Sequence, residues 1–129
     1  MRVIVISMEN GLLSRAIEKY LRERGELMPE TVTDFKKKDE PYASCKALSA
    51  DILLMDVAKM PHNTLERRLE TAQRVKETLP GCKIALLCDD NADPDTAERV
   101  KDAKKLDLID SFFHSSVTGE YLSAALDAL

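Results

Sequence analysis

Five short apolar runs, each followed by a stretch of helical periodicity, constrain the fold of this chain more than any other feature. Val3–Ser7 is short and β-branched, as buried strands are. Leu13, Ala16, Ile17, Tyr20 and Leu21 then recur at helical spacing, and Gly25 can end that helix. Thr31, Val32 and Thr33 suggest a second strand over Glu30–Phe35. The basic triplet Lys36–Lys38 reads as a solvated loop or helix start, and Tyr42, Cys45, Ala47 and Leu48 as a short helix. Asp51–Val57, DILLMDV, has the continuous apolar block of a strand buried on both faces. Thr64–Leu79 is rich in helix formers and stops at Pro80-Gly81. Lys83–Leu87 makes a fourth strand, and Asp95–Lys105, with Pro94 near its start, another helix. Ile109–His114 is a fifth strand. Glu120–Leu129 is a closing helix with Tyr121, Leu122, Ala125 and Leu126 on one side.

This alternation with short connections implies one α/β domain over 1–129, a parallel sheet covered by helices on both faces. In open sheets of this kind chemistry collects at the carboxyl ends of the strands. Those ends are Ser7–Asn10, Asp56–Ala58, Cys88–Asp90 and His114–Ser116.

Composition removes several function classes. At 44% apolar residues the chain has too much to bury for disorder. A net charge of -4 biases against nonspecific nucleic-acid or membrane binding. With no Trp, three Tyr and three Phe, there is no sign of a base-stacking surface. No apolar run approaches the ~20 residues of a bilayer span. Val3–Ile6 is too short for a signal-peptide core, so the expected location is cytoplasmic. Cys45, Cys82 and Cys88 are odd in number and form no CxxC pair, against a disulfide framework or zinc site. His62 and His114 are too isolated for a metal centre and read as packing or surface residues. Gly11, Gly25, Gly81 and Gly119 make no phosphate-binding loop pattern, against a nucleotide- or flavin-binding domain. No Ser-His-Asp set with a nucleophile elbow can be read. The chain is not expected to be an enzyme.

Asp56 ends the third strand, where a carboxylate at the sheet rim can accept a phosphoryl group as an acyl phosphate. That transfer needs a divalent cation, and the cation needs a further acidic ligand nearby. Asp51, Asp56 and Pro61 in DILLMDVAKMP resemble the central motif of the receiver (CheY-like) domain of bacterial two-component response regulators. Five βα units, the closing Gly25 and Phe112 extend the resemblance over essentially the whole chain. It implies a (βα)5 flavodoxin-like, doubly wound five-stranded sheet in the order 2-1-3-4-5. It also implies Asp56 as phosphoacceptor, Mg2+ as cofactor and a histidine kinase or other signalling protein as partner.

The chain departs from that pattern at three strand ends. A receiver carries two adjacent acids after the first strand, where this chain reads Ser7-Met8-Glu9-Asn10. Counting from the strand puts Ser7 and Met8 there. Counting back from the longer helical pattern, the preferred register, puts Met8 and Glu9 there and makes Glu9 and Asp56 the metal ligands. Glu9 could equally be an exposed acid in the first helical turn. Cys88 stands where receivers have a Thr or Ser hydroxyl, and a thiol is a poor donor. Asp89 and Asp90 add negative charge beside it. Ser115 and Ser116 replace the Lys-Pro pair, and Lys104 and Lys105 precede the strand at its far end. The switch positions implied by the resemblance are therefore Cys88, Phe112 and Ser115. Two functions follow: a signalling receiver with Asp56 as a weak phosphoacceptor, or a phosphorylation-independent pseudo-receiver acting in protein interaction or dimerisation. By resemblance, any homodimer forms through the region 95–129.

Overall fold

The computed structural model describes residues 1–32, 39–59, 61, 63–89 and 92–129. The elements are β1 (Arg2–Ser7), α1 (Gly11–Arg24), β2 (Leu27–Val32), α2 (Tyr42–Leu48) and β3 (Ile52–Val57), then α3 (Leu65–Thr78), β4 (Lys83–Cys88), α4 (Pro94–Lys105), β5 (Ser111–His114) and α5 (Gly119–Asp127). The strands form one sheet in the order β2-β1-β3-β4-β5, and every pairing is parallel. This is the expected (βα)5 flavodoxin-like arrangement.

Alternation along the strands divides the core. Ile4, Ile6, Leu54 and Ala85 face Ile17 and Leu21 of α1 and Leu122 and Leu126 of α5. Val5, Leu53, Met55, Ile84 and Leu86 face the other way, onto Cys45, Ala72, Val75 and Val100 of α2, α3 and α4. The central strand β3 thus buries both faces, which is why its sequence is a continuous apolar run. Side-chain caps begin four of the helices: Asn10, Thr64, Asp93 and Thr118 each accept a backbone N–H from the first turn. Gly25 ends α1 at φ 74, donating its N–H to Leu21 O.

The sequence expectations need correction in two places. The second strand begins at Leu27, ahead of the expected Glu30. Pro29 sits inside it because β2 is an edge strand, where a missing donor costs no ladder bond. Tyr20 and Tyr121 are exposed, and small Ser14 and Ser123 take places in the buried faces of α1 and α5. The Tyr20 ring instead covers Gly119, where an added Cβ would lie 2.4 Å from Tyr20 Cε2. The Thr33–Phe35 end of the expected strand, together with Lys36–Lys38, His62 and Asp90, lies outside the described residues.

Two aspartates extend the ladder at the amino ends of strands. Asp51 Oδ2 accepts the Val3 N–H at 2.8 Å. Asp110 Oδ2 accepts the Ile84 N–H at 2.8 Å and the Lys76 ammonium at 2.6 Å. Burial pushes the Asp110 carboxyl up, but the bonds from Lys76 and Ile84 outweigh it and hold it below its ordinary value. A carboxyl depressed by folding contributes stability that is complete above its unfolded value, about 4, and is lost as pH falls through the folded one. The Asp110→Asn variant should therefore show a shallower acid limb than wild type when stability is measured by urea unfolding between neutral pH and pH 3. An identical limb would mean the ion pair is fully screened.

Burial also fixes the thiols. Desolvation pushes Cys45 up to about 12 and Cys82 up to about 11, leaving both protonated and inert at neutral pH.

Candidate functional site at the carboxyl edge of the sheet

β1 and β3 are hydrogen-bonded neighbours, so their carboxyl ends bring Ser7 and Asp56 to one rim. Asp56 is the penultimate residue of β3 and half-buried, with its side chain 15% exposed. Both of its carboxylate oxygens accept hydrogen bonds. Oδ2 accepts the Glu9 backbone N–H at 2.9 Å. Oδ1 accepts Asn63 Nδ2 at 3.2 Å and Arg68 Nη2 at 2.8 Å.

Arg68 comes from the first turns of α3 and is buried, with its side chain 3% exposed. Its guanidinium bridges the ends of the two strands. Nε donates to Asp56 O at 2.8 Å, Nη1 to Ser7 Oγ at 3.1 Å, and Nη2 to Ser7 O at 2.9 Å as well as to Asp56 Oδ1. Burial lowers the guanidinium from its ordinary value, and the Asp56 carboxylate opposes that pull. The site is therefore an internal ion pair with a fixed fork of donors, the geometry for which arginine is suited.

The other sequence candidates lie along the same edge. Glu9 is exposed and meets Asp56 through its backbone amide; its carboxylate makes no hydrogen bond among the described residues. Ser7 and Met8, the other register, are both buried, and Ser7 points at Arg68. Cys88 ends β4 beside Val57 and His114; its thiol lies 3.8 Å from Phe113 O and 4.0 Å from His114 Nδ1. Phe112 is half-buried against the α3/α4 side of the core, edge-on to the His114 ring at 5.9 Å. Ser115 is exposed and its N–H donates to Cys88 O at 2.8 Å. Among the described residues no group of three or more His, Cys, Asp or Glu side chains is placed to hold a metal ion. Among the described residues no helix is long and apolar enough to cross a membrane.

Sequence reasoning missed Arg68 and Asn63. It sought a replacement cation near the fifth strand, whereas the cation arrives from the third helix. The signal was present: Leu65, Arg68, Ala72 and Val75 form the buried stripe of α3, and a charged residue in such a stripe needs a buried partner.

No family model matches the chain, and no curated protein matches it. Solved structures do. A DNA-binding response regulator of the LuxR family from Staphylococcus aureus is similar at TM-score 0.76 and 14% identity, over 99% of this chain and 98% of that one. A two-component response regulator from Clostridium difficile matches at TM-score 0.75 and 13% identity, over 99% and 94%. The response regulator TrrA from Thermotoga maritima, in complex with Mg2+ and BeF, matches at TM-score 0.67 and 17% identity, over 99% and 98%. Strand order, helix placement and these full-length likenesses together give the chain the receiver-domain fold of response regulators.

Proposed function

We propose that this domain is a phosphorylation-independent signalling module that works by binding another protein, with Arg68 permanently supplying the positive charge at Asp56. The observation that carries this reading is the 2.8 Å contact between buried Arg68 Nη2 and Asp56 Oδ1. An acyl phosphate needs a free carboxylate oxygen and a divalent cation beside it. Here the carboxylate accepts three donors, and one of them is already a cation. A divalent ion would sit against the guanidinium, with Ser7 in place of an acidic ligand. The donor set does not fit Mg2+. Asp56 on this reading is structural, and the domain is not an enzyme.

A second reading keeps Asp56 as a phosphoacceptor, with Mg2+ held by Glu9 and Asp56 and a histidine kinase as donor. Its support is the position of Asp56 at the end of β3 and the Mg2+–BeF complex of the Thermotoga maritima neighbour. Cys88, Phe112 and Ser115 would then be the switch positions. On either reading the partner is a signalling protein, with the cytoplasm as the proposed location, and homodimerisation through 95–129 is open to sedimentation measurements.

A thermal melt with Mg2+ and beryllofluoride separates the two. A ligand that binds the folded state must raise the melting temperature. The expected result is no rise for wild type. A Mg2+-dependent rise that disappears in Asp56→Ala would overturn the first reading in favour of the second.

A further inference from the structure

We infer that the groove between α3 and the turn after α4 is a docking site for a basic amphipathic helix of a partner protein. The inference rests on the reading of the domain as an interaction module and names the face and the partner's chemistry. The groove has a volume of about 590 Å³, and its apolar floor is Leu69 and Leu108. A smaller depression of about 240 Å³ continues it, sharing both leucines and adding Leu106. Leu106 is 71% exposed and Leu108 48% exposed. They flank Asp107, whose φ of 59 lies in the left-handed region. The turn is closed by hydrogen bonds from Leu106 N to Asp102 O and from Leu108 N to Ala103 O, both 3.0 Å. The two leucines are thus held outward by a completed helix end.

The rim is acidic. Glu66, Glu70, Glu77 and Asp107 border the groove and Asp102 borders its extension. The two cations there are already used: Lys76 pairs with Asp110, and Arg99 with Glu66. Among the described residues Glu70, Glu77, Asp102 and Asp107 have no ion pair. Lys104 and Lys105, in the last turn of α4, line neither depression. An apolar floor bordered by four carboxylates without an ion pair calls for large apolar side chains flanked by Lys or Arg. The walls are helical, and the free sheet edges belong to β2 and β5. The groove therefore offers no backbone ladder, and an occupant must satisfy its own backbone, as a helix does. A second copy of this chain is the wrong occupant, because an isologous contact would set the same carboxylates against each other.

The test uses the whole chain and a synthetic helical peptide of Leu, Ala and Lys, with Leu at i, i+3, i+4 and i+7. Fluorescence anisotropy and amide NMR shifts are the readouts. Saturable binding is expected, weakening as salt rises, with shifts centred on Leu69, Leu106 and Leu108. The surface variant Leu106→Ser/Leu108→Ser should weaken binding by about tenfold or more. Glu70→Lys/Glu77→Lys should transfer preference to a peptide with Glu in place of Lys. Undiminished binding by the Leu variant, or shifts spread over the acidic surface, would reduce the effect to general charge attraction and overturn the proposal. So would concentration-dependent self-association abolished by the same Leu substitutions. The beryllofluoride melt reports on Asp56 alone, so failure at the groove and failure of the phosphate-independent reading are separately visible.

Discussion

Replacing Arg68 with alanine should lower the unfolding free energy by about 3–5 kcal/mol, the cost of breaking a buried ion pair by removing one partner. The loss arises because Asp56 Oδ1, Ser7 Oγ and two strand-end carbonyls, all buried or part-buried, surrender a donor. A drop in the urea midpoint at unchanged slope would record it. Asp56→Ala should also destabilise, by about 1–3 kcal/mol, since it leaves Arg68 buried with only neutral acceptors. The sign is diagnostic. Where several carboxylates converge on a metal site, removing one relieves repulsion and stabilises the apo protein. Here Asp56 is opposed by a cation, so its removal should cost stability. The double variant Asp56→Ala/Arg68→Ala should lose less than the sum of the singles, by a coupling of about 0.5–3 kcal/mol. Additive losses, or a stabilising Asp56→Ala, would mean that the contact contributes nothing and that Asp56 is free for other chemistry.

The second large effect lies in the central strand. Leu54→Ala should cost about 2–5 kcal/mol, from lost apolar transfer and the cavity left behind. Leu54 is fully buried in the cluster shared with α1 and α5, and β3 has paired strands on both sides, so little can relax into the space. The comparison is Met28→Ala on edge strand β2, which is exposed and should change stability by no more than about 0.5 kcal/mol. Equal losses at the two positions in chemical denaturation would contradict the core assigned to β3.

The fold was legible because it depends on patterns that repeat. A strand buried on both faces must be apolar throughout, as DILLMDV is, and helices packed on one face must carry an apolar stripe. Gly25 closes α1 for a reason local to its own backbone, a left-handed φ that glycine adopts without strain. The places where the reading slipped are those where the determinant is not local. Pro29 argues against a strand until one knows that β2 is at the edge of the sheet. Tyr20 and Tyr121 fit helical spacing, but they lie outside, and the small Ser14 and Ser123 take buried places on α1 and α5.

At the site the division is sharper. The sequence by itself determined that Asp56 lies at the end of the third strand, and the resemblance led to the expectation that Ser7 and Met8 or Met8 and Glu9, with Cys88 and Ser115, stand where receivers carry acids, a hydroxyl and a lysine. Those are statements about position along strands, and strand register transmits them. Only the tertiary structure decided what faces Asp56. Arg68 is twelve residues further on and in another element, and its long side chain reaches the sheet rim because α3 packs its buried stripe across β3. A sequence shows that a charge lies on an apolar stripe. Where that charge finds its partner depends on how the helix is set against the sheet, and here that setting places a guanidinium against the carboxylate.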